Sequence, residues 1–264
     1  MNGPTKSKTY SGMSLLTLAR DLQRRKARER QGLFVVEGVR GVEELLRSPI
    51  PIRGALVAPR LADTPRGQSL RGLLETRGIM VEEVAERDFE SAAETESPQG
   101  VLAVAVVPEH DLDGLLDGPS VRVVVLDAVQ DPGNVGTILR TAAALGATAT
   151  ISLPGTVDLW NAKVVRSAMG AHFHHPCSSG TWDDIDRLRT ERGMAIWAAD
   201  AAGDSVESVE PPAHLALVVG NEGSGLSSDT RTRADRLVAL PIASTVESLN
   251  VAVATGILLY ELRR

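Results

Sequence analysis

The sequence predicts an α/β chain in two parts. The C-terminal part is a mostly parallel sheet with helices on both faces, and a smaller α/β layer precedes it. Three observations carry this. Strands in the second half are written as unbroken apolar runs, Val-Val-Val-Leu at 123–126 and Leu-Ala-Leu-Val-Val at 215–219. Such runs mark strands buried on both faces, whereas half-exposed strands alternate. Strand and helix patterns also alternate along the whole chain, as in βα units. Finally, residues 108–119 read Pro-Glu-His-Asp-Leu-Asp-Gly-Leu-Leu-Asp-Gly-Pro, a polar, turn-rich stretch that divides the alternation in two.

Taken in order, residues 14–31 predict a helix with Leu15, Leu18 and Leu22 on one stripe and basic residues elsewhere. A strand follows at 33–37, a helix at 39–47, a strand at 54–57, a helix at 68–76, a strand at 79–84, a helix at 87–94 and a strand at 101–107. Beyond the linker come strand 121–126, helix 135–145, strand 149–153, helix 161–169 and a short strand around Phe173. Helix 182–191, strand 195–199, strand 215–219, helix 227–234, strand 237–240 and helix 247–262 complete the pattern. The domains are then a basic helical segment at 1–30, a small α/β domain at 31–107, a linker at 108–119 and a larger domain at 120–264.

Composition bounds the function. With 43% hydrophobic and 23% charged residues over 264 positions, the chain reads as a soluble globular protein. No run of about 18 apolar residues suggests a membrane span, and the start, Met-Asn-Gly-Pro-Thr-Lys, carries no apolar signal segment. A lone cysteine, Cys177, excludes an internal disulfide framework and suits a reducing, cytoplasmic setting. The net charge of -6 is uneven. Residues 1–30 hold Lys6, Lys8, Arg20, Arg24, Arg25, Lys26, Arg28 and Arg30 against Asp21 and Glu29, a balance of +6 that leaves -12 on the rest. A basic arm on an acidic body is a phosphate-binding footprint or a solvated helix face.

Three polar loops follow strands, the arrangement of a ligand crevice at the carboxyl edge of a parallel sheet. The first is Asp131-Pro-Gly-Asn-Val-Gly-Thr-Ile-Leu-Arg140, in which Arg140 rides an otherwise apolar helix. The second is Gly220-Asn-Glu-Gly-Ser-Gly225, whose glycines let a ligand approach the backbone. It is neither a dinucleotide fingerprint nor a P-loop. Glu222 there is placed to cap the following helix or to face the ligand. The third is Leu240-Pro-Ile-Ala-Ser-Thr-Val-Glu-Ser-Leu-Asn250. Separately, His172-Phe-His-His-Pro-Cys177 packs three histidines and a cysteine together. As an extended segment it would put His172 and His174 on one face and His175 and Cys177 on the other. The remaining histidines, His110 and His214, form no second ligand cluster, so no metal is expected. No G-x-S-x-G elbow is present either.

The three loops resemble the motifs of the SpoU/TrmH family of RNA 2'-O-ribose methyltransferases, a knotted class of S-adenosylmethionine enzymes. N-x-G-x-x-x-R is met by Asn134, Gly136 and Arg140, and G-x-E-x-x-G by Gly220, Glu222 and Gly225. The third motif is met by Pro241, Ser248, Leu249, Asn250 and Val251. Lys163-Val-Val-Arg-Ser-Ala-Met-Gly-Ala171 resembles a further family segment. Phe34-Val-Val-Glu-Gly38 and Ser97-Pro-Gln-Gly-Val101 resemble words of the family's L30e-like substrate-binding domain. Ile242, Ser244 and Ala252 stand where the family has methionine, glycine and serine. The stretch Ser244-x-x-Glu-Ser-Leu-Asn250 is similar to that of some antibiotic-resistance ribosomal methyltransferases.

The resemblance implies a deep trefoil knot, a homodimer through the C-terminal domain and S-adenosyl-L-methionine as cofactor. It implies cofactor contacts from Gly220, Asn221, Glu222, Gly223, Leu240, Ile242, Ser244, Ser248 and Leu249, and catalytic roles for Arg140, Asn134, Glu222, Ser248 and Asn250. A guanidinium stays protonated at any working pH, so Arg140 is read as a clamp on the target phosphate rather than as a base. The expected substrate is RNA, ribosomal RNA before transfer RNA, with a non-catalytic RNA-binding protein as the alternative from another class.

Overall fold

The computed structural model describes residues 13–110, 114 and 117–263. Lys6 and Lys8 of the basic segment and part of the linker lie outside the described residues. The chain forms two compact units. One holds Pro51–Val106 and the chain up to Val42; the other holds Glu43–Ile50 and the chain from Val107 onward.

In the first unit the predicted 14–31 helix is two helices, α1 (Leu15–Leu22) and α2 (Arg25–Gln31). Leu15, Leu18, Ala19 and Leu22 of α1 enter the core. The break is held by Arg28, which is buried and donates Nη1 to the carbonyls of Leu22 and Gln23 at 2.7 and 2.9 Å. Those are acceptors that a helix end leaves without partners. Other cations of this segment are already engaged: Arg20 with Asp88, Arg24 and Arg30 with Asp21, and Arg25 with Glu29. The rest of the unit is β1 (Leu33–Glu37), α3 (Val39–Arg47), β2 (Ile52–Val57), α4 (Pro65–Thr76), β3 (Val81–Glu83), α5 (Glu86–Glu90) and β4 (Val101–Val106), with α3 running across the division at Val42. The sheet order is β1-β4-β2-β3. β4 lies antiparallel to β1 and β2, and β3 joins β2 in parallel. Leu56, Phe89, Leu102 and Val104 pack there with the α1 leucines.

The second unit carries β5 (Val121–Leu126), α6 (Pro132–Ala144), β6 (Ala149–Ser152), α7 (Ala162–Ser167), β7 (Cys177–Ser179), α8 (Trp182–Arg192), β8 (Ala195–Ser205), β9 (His214–Val219), α9 (Ser228–Arg233), β10 (Arg236–Ala239) and α10 (Val251–Glu261). Its six strands are all parallel, in the order β10-β8-β9-β5-β6-β7. Val123, Val125, Ile151, Ile196, Ala216 and Val218 build one core layer. The apolar spelling of β5 and β9 thus follows from their central places in a parallel sheet.

Boundaries moved where side chains cap or turn the chain. α6 opens at Pro132, three residues before the predicted start, because Asp131 accepts the Asn134 N–H at 2.9 Å. α10 opens at Val251 rather than 247, because Asn250 Oδ1 accepts the N–H groups of Ala252 and Val253. β8 runs to Ser205, and Gly203 lets β10 lie against it: a Cβ there would sit 2.4 Å from the Leu237 carbonyl carbon. No strand forms around Phe173. Met169 and Gly170 take left-handed backbone and a 3-10 turn follows at Ala171–Phe173.

Candidate functional site

Strand order sets the site. From β5 the chain moves outward through β6 to β7, then crosses to the far side for β8, β9 and β10. Loops leaving neighbouring strands at such a reversal diverge and open a crevice. A cavity of about 470 Å³ lies there, walled by the loop after β9, the loop after β10, the distal part of β8 and the start of α10. Gly220, Asn221, Glu222, Gly223, Leu240, Ile242, Ser248, Leu249 and Asn250 all line it, as expected of one crevice.

The loop after β9 is closed on itself. Asn221 and Gly225 exchange N–H···O bonds at 2.9 and 3.0 Å, with Gly225 at φ 70. A Cβ on Gly220 would lie 2.5 Å from the Gly225 carbonyl, so only glycine permits the closure. Asn221 Oδ1 accepts the N–H groups of Gly223 and Ser224, and its Nδ2 donates to the Ala128 carbonyl at 2.8 Å. Asn221 therefore lines the cavity while its side-chain amide organises the loop.

Glu222 does not cap the helix that follows it. That helix, α9, is capped by Ser227. Glu222 reaches across instead: its carboxylate accepts the backbone N–H of Gln130 (3.1 Å) and Asp131 (3.0 Å), and the Asn134 Nδ2–H (3.0 Å). Asn134 Oδ1 in turn accepts from Asn250 Nδ2 at 2.9 Å. One hydrogen-bonded chain, Glu222–Asn134–Asn250, joins all three motif loops. Partial burial works to raise the Glu222 pKa, but the Asn134 donor and the backbone N–H groups outweigh it and hold the carboxyl below its ordinary value.

Other predicted residues stand differently. Gly136 is a packing glycine; a Cβ there would lie 2.5 Å from Ser167 Cβ and 2.7 Å from the Val164 carbonyl of α7. Ser244 is exposed in the β10 loop and does not line the cavity. Arg140 lies outside the cavity too. It borders a separate groove between α6 and α10, with Thr137, Val253, Ile257 and Tyr260, and donates Nη1 to Met169 Sδ at 3.0 Å.

Two acids escaped the sequence reading. Asp200, in β8, lines the cavity, pairs with Arg231 at 2.5 Å and accepts the Ala202 N–H. Its place, one residue past the predicted end of a parallel strand, was the available signal. Asp127 is buried just after β5 and accepts the Ser227 N–H and the Thr230 hydroxyl at 2.8 and 2.5 Å. It pins the exit of the β9 loop to the β5 edge.

The histidines do not alternate. His172 and His175 are both buried and His174 is exposed, because the segment turns instead of extending. His172 stacks on Trp160 with ring centroids 4.2 Å apart, and His175 Nε2 meets the Thr150 hydroxyl at 2.8 Å. Burial, aided by neighbouring histidines, lowers their pKa values to about 3 and about 4. Burial pushes the Cys177 thiol up to about 12. No metal-holding cluster occurs among the described residues.

Comparison with known proteins matches this architecture part by part. The SpoU rRNA Methylase family matches residues 121–260, and the MRM3-like substrate binding domain matches residues 17–103. The chain is 37% identical to the 23S rRNA (guanosine(2553)-2'-O)-methyltransferase RlmP of Bacillus subtilis, over 92% of this chain and 93% of that one. Among solved structures, the SpoU methyltransferase AviRb from Streptomyces viridochromogenes, in complex with the cofactor AdoMet, superposes with a TM-score of 0.83 at 29% identity over 96% and 97% of the two chains. An AdoMet-bound rRNA methyltransferase from Sinorhizobium meliloti gives 0.81 at 29% identity over 98% and 96%. With three motif loops joined by hydrogen bonds, two of them walling one cavity, and a match over more than half its length, the chain belongs to the SpoU rRNA methylase family.

Proposed function

We propose that this protein is an S-adenosylmethionine-dependent methyltransferase that methylates a ribose 2'-hydroxyl in ribosomal RNA, with large-subunit RNA favoured. The Glu222–Asn134–Asn250 chain carries the reading, because it ties the first motif loop to the two that wall one ligand-sized cavity. The names of its relatives support the substrate: RlmP and a Streptomyces viridochromogenes methyltransferase 33% identical to this chain are both 23S rRNA enzymes.

The cavity suits the cofactor. Val219, Val238, Leu240, Ile242 and Leu249 offer an apolar wall for an adenine. Glu222, held by uncharged donors, and Glu247 give the lining the acidic character that a cationic sulfonium and ammonium call for. The exposed 241–250 loop offers backbone groups for polar ends. When bound, S-adenosylmethionine supplies an electrophilic methyl group; the protein supplies position and electrostatics.

Roles divide by what each side chain has left to give. Glu222 spends its carboxylate on the α6 loop, so it is a positioning residue and not the proton acceptor. Asn134 and Asn250 hold loops in register. Ser248 and Leu249 face the cavity and meet cofactor or ribose. Arg140 grips the target phosphate and orients the 2'-hydroxyl, with a phosphate or water taking the proton. The 2'-hydroxyl makes the substrate RNA and not DNA.

The same reading covers the whole chain. Residues 31–107 bind RNA, the family resemblance implies a trefoil knot in the catalytic part, and the protein works in the cytoplasm. Described helices include none long and apolar enough to cross a membrane. A second copy covers α10, where Val253, Ile257 and Tyr260 remain 52%, 41% and 49% exposed beside Arg140. Lys163 and Arg166 are exposed on α7, with no acidic partner among the described residues, and add phosphate contacts near Arg140.

Single-turnover methylation of ribosomal RNA tests the proposal. Arg140→Ala should slow transfer on the order of a hundredfold and leave cofactor affinity intact. Methylation of transfer RNA alone, or RNA binding without cofactor binding, would overturn it.

A further inference from the structure

Among the described residues, two that are not glycine hold left-handed backbone, Ala128 at φ 57 and Met169 at φ 50. A residue with a Cβ resists this conformation, and it persists where surroundings impose it. Each of the two meets a side chain carried by a motif segment. Ala128 presents its carbonyl to Asn221 Nδ2, and Met169 presents its thioether to Arg140 Nη1. Packing gives no reason for Met169, which is 42% exposed. Its anchorage is firm nonetheless. It follows α7, its N–H bonds the Arg166 carbonyl, and α7 is seated on α6 at Gly136, one turn before Arg140.

The choice of acceptor is informative. In this unit Arg187, Arg189, Arg192, Arg231, Arg233 and Arg236 all pair with carboxylates. Among the described residues Arg140 is bonded instead to a thioether, which is weak, neutral and polarizable. A carboxylate would hold the guanidinium and cancel its charge. A thioether holds one donor and leaves the charge, with the rest of the planar fork, for a phosphate.

We propose that Met169 is the positioning residue of Arg140, orienting the guanidinium toward the RNA phosphate without neutralising it. This rests on the reading of Arg140 as the phosphate clamp. The experiment is single-turnover methyl transfer to ribosomal RNA, with cofactor affinity and thermal stability measured beside it. Met169→Leu keeps bulk and removes the acceptor, and should slow transfer about tenfold. Met169→Gln restores an acceptor and should return to within about threefold of wild type. Met169→Glu restores an acceptor but neutralises, and should fall as low as Arg140→Ala. Cofactor affinity and melting temperature should be the same in all three, which a merely structural role would not produce. A wild-type rate in Met169→Leu beside an inactive Arg140→Ala overturns the role of Met169 and leaves the clamp standing. A wild-type rate in Arg140→Ala overturns the clamp itself.

Discussion

The loop after β9 and the loop after β10 wall the same cavity and are built in opposite ways. Between Gly220 and Leu226 the polar groups are spent internally. Asn221 uses both ends of its amide, Glu222 holds three donors, and Asp127 fixes the exit. Between Pro241 and Asn250 every residue is exposed, and the described backbone bond within the loop is Val246 N–H to the Ala243 carbonyl. A backbone N–H already paired has no donor left for a ligand, and an unpaired one needs a partner. The first loop is therefore a fixed wall that sets the register of the motifs. The second is left open, the wall that we propose a cofactor completes.

The largest break in this contrast comes from Glu222→Ala. It leaves the N–H groups of Gln130 and Asp131 and the Asn134 amide without their acceptor, and should lower methyl transfer on the order of a hundredfold. A rate near wild type would show that the fixed wall needs no such joint. The acid response follows in sign. The folded pKa of Glu222 is depressed, so its stabilisation is present above the unfolded carboxylate value and lost as pH falls through the folded one. In Glu222→Gln, acid unfolding followed by circular dichroism should lose that contribution.

Asn221→Ala should come next, costing about 1–2 kcal/mol in urea unfolding, because it strips acceptors from Gly223 and Ser224. Ser244→Gly, in the open loop, should change stability by less than about 0.5 kcal/mol and act on calorimetric cofactor affinity alone. A stability loss like that of Asn221→Ala would mean the two walls are alike.

The smallest effect on activity belongs to His172→Phe, far from either loop in kind. His172 and His175 fold neutral with pKa values near 3 and 4, below the unfolded value near 6.5. The unfolded state then binds more protons, so stability should fall as pH drops from about 6.5 toward 4. His172→Phe removes one such proton and two ring nitrogens without partners among the described residues. It should flatten that slope in pH-dependent melts while leaving methyl transfer unchanged.

What the residues themselves specify is local and short in range. Apolar runs mark β5 and β9 as interior parallel strands; the caps Asp131 and Asn250 set where α6 and α10 start, whereas periodicity alone put those starts at 135 and 247. The three motifs also name Asn134, Glu222 and Asn250, because each must be a particular residue type. Their joining was not legible. Glu222 meets Asn134 across 88 residues and Asn134 meets Asn250 across 116, distances bridged only when strand order places β9 beside β5. The same holds for Asp200, an ordinary acid until its strand lines the cavity, and for Met169, a bulky apolar residue in sequence and the partner of Arg140 in space. The histidines teach it most simply: two left-handed residues turn the chain ahead of them, and the even–odd faces of an extended segment vanish. Periodicity is a property of a few neighbouring residues, so sequence alone determined it; caps are as local, but which residue caps showed only in the folded backbone. Which polar group answers which is decided by the sheet order and the turns, and that belongs to the tertiary structure.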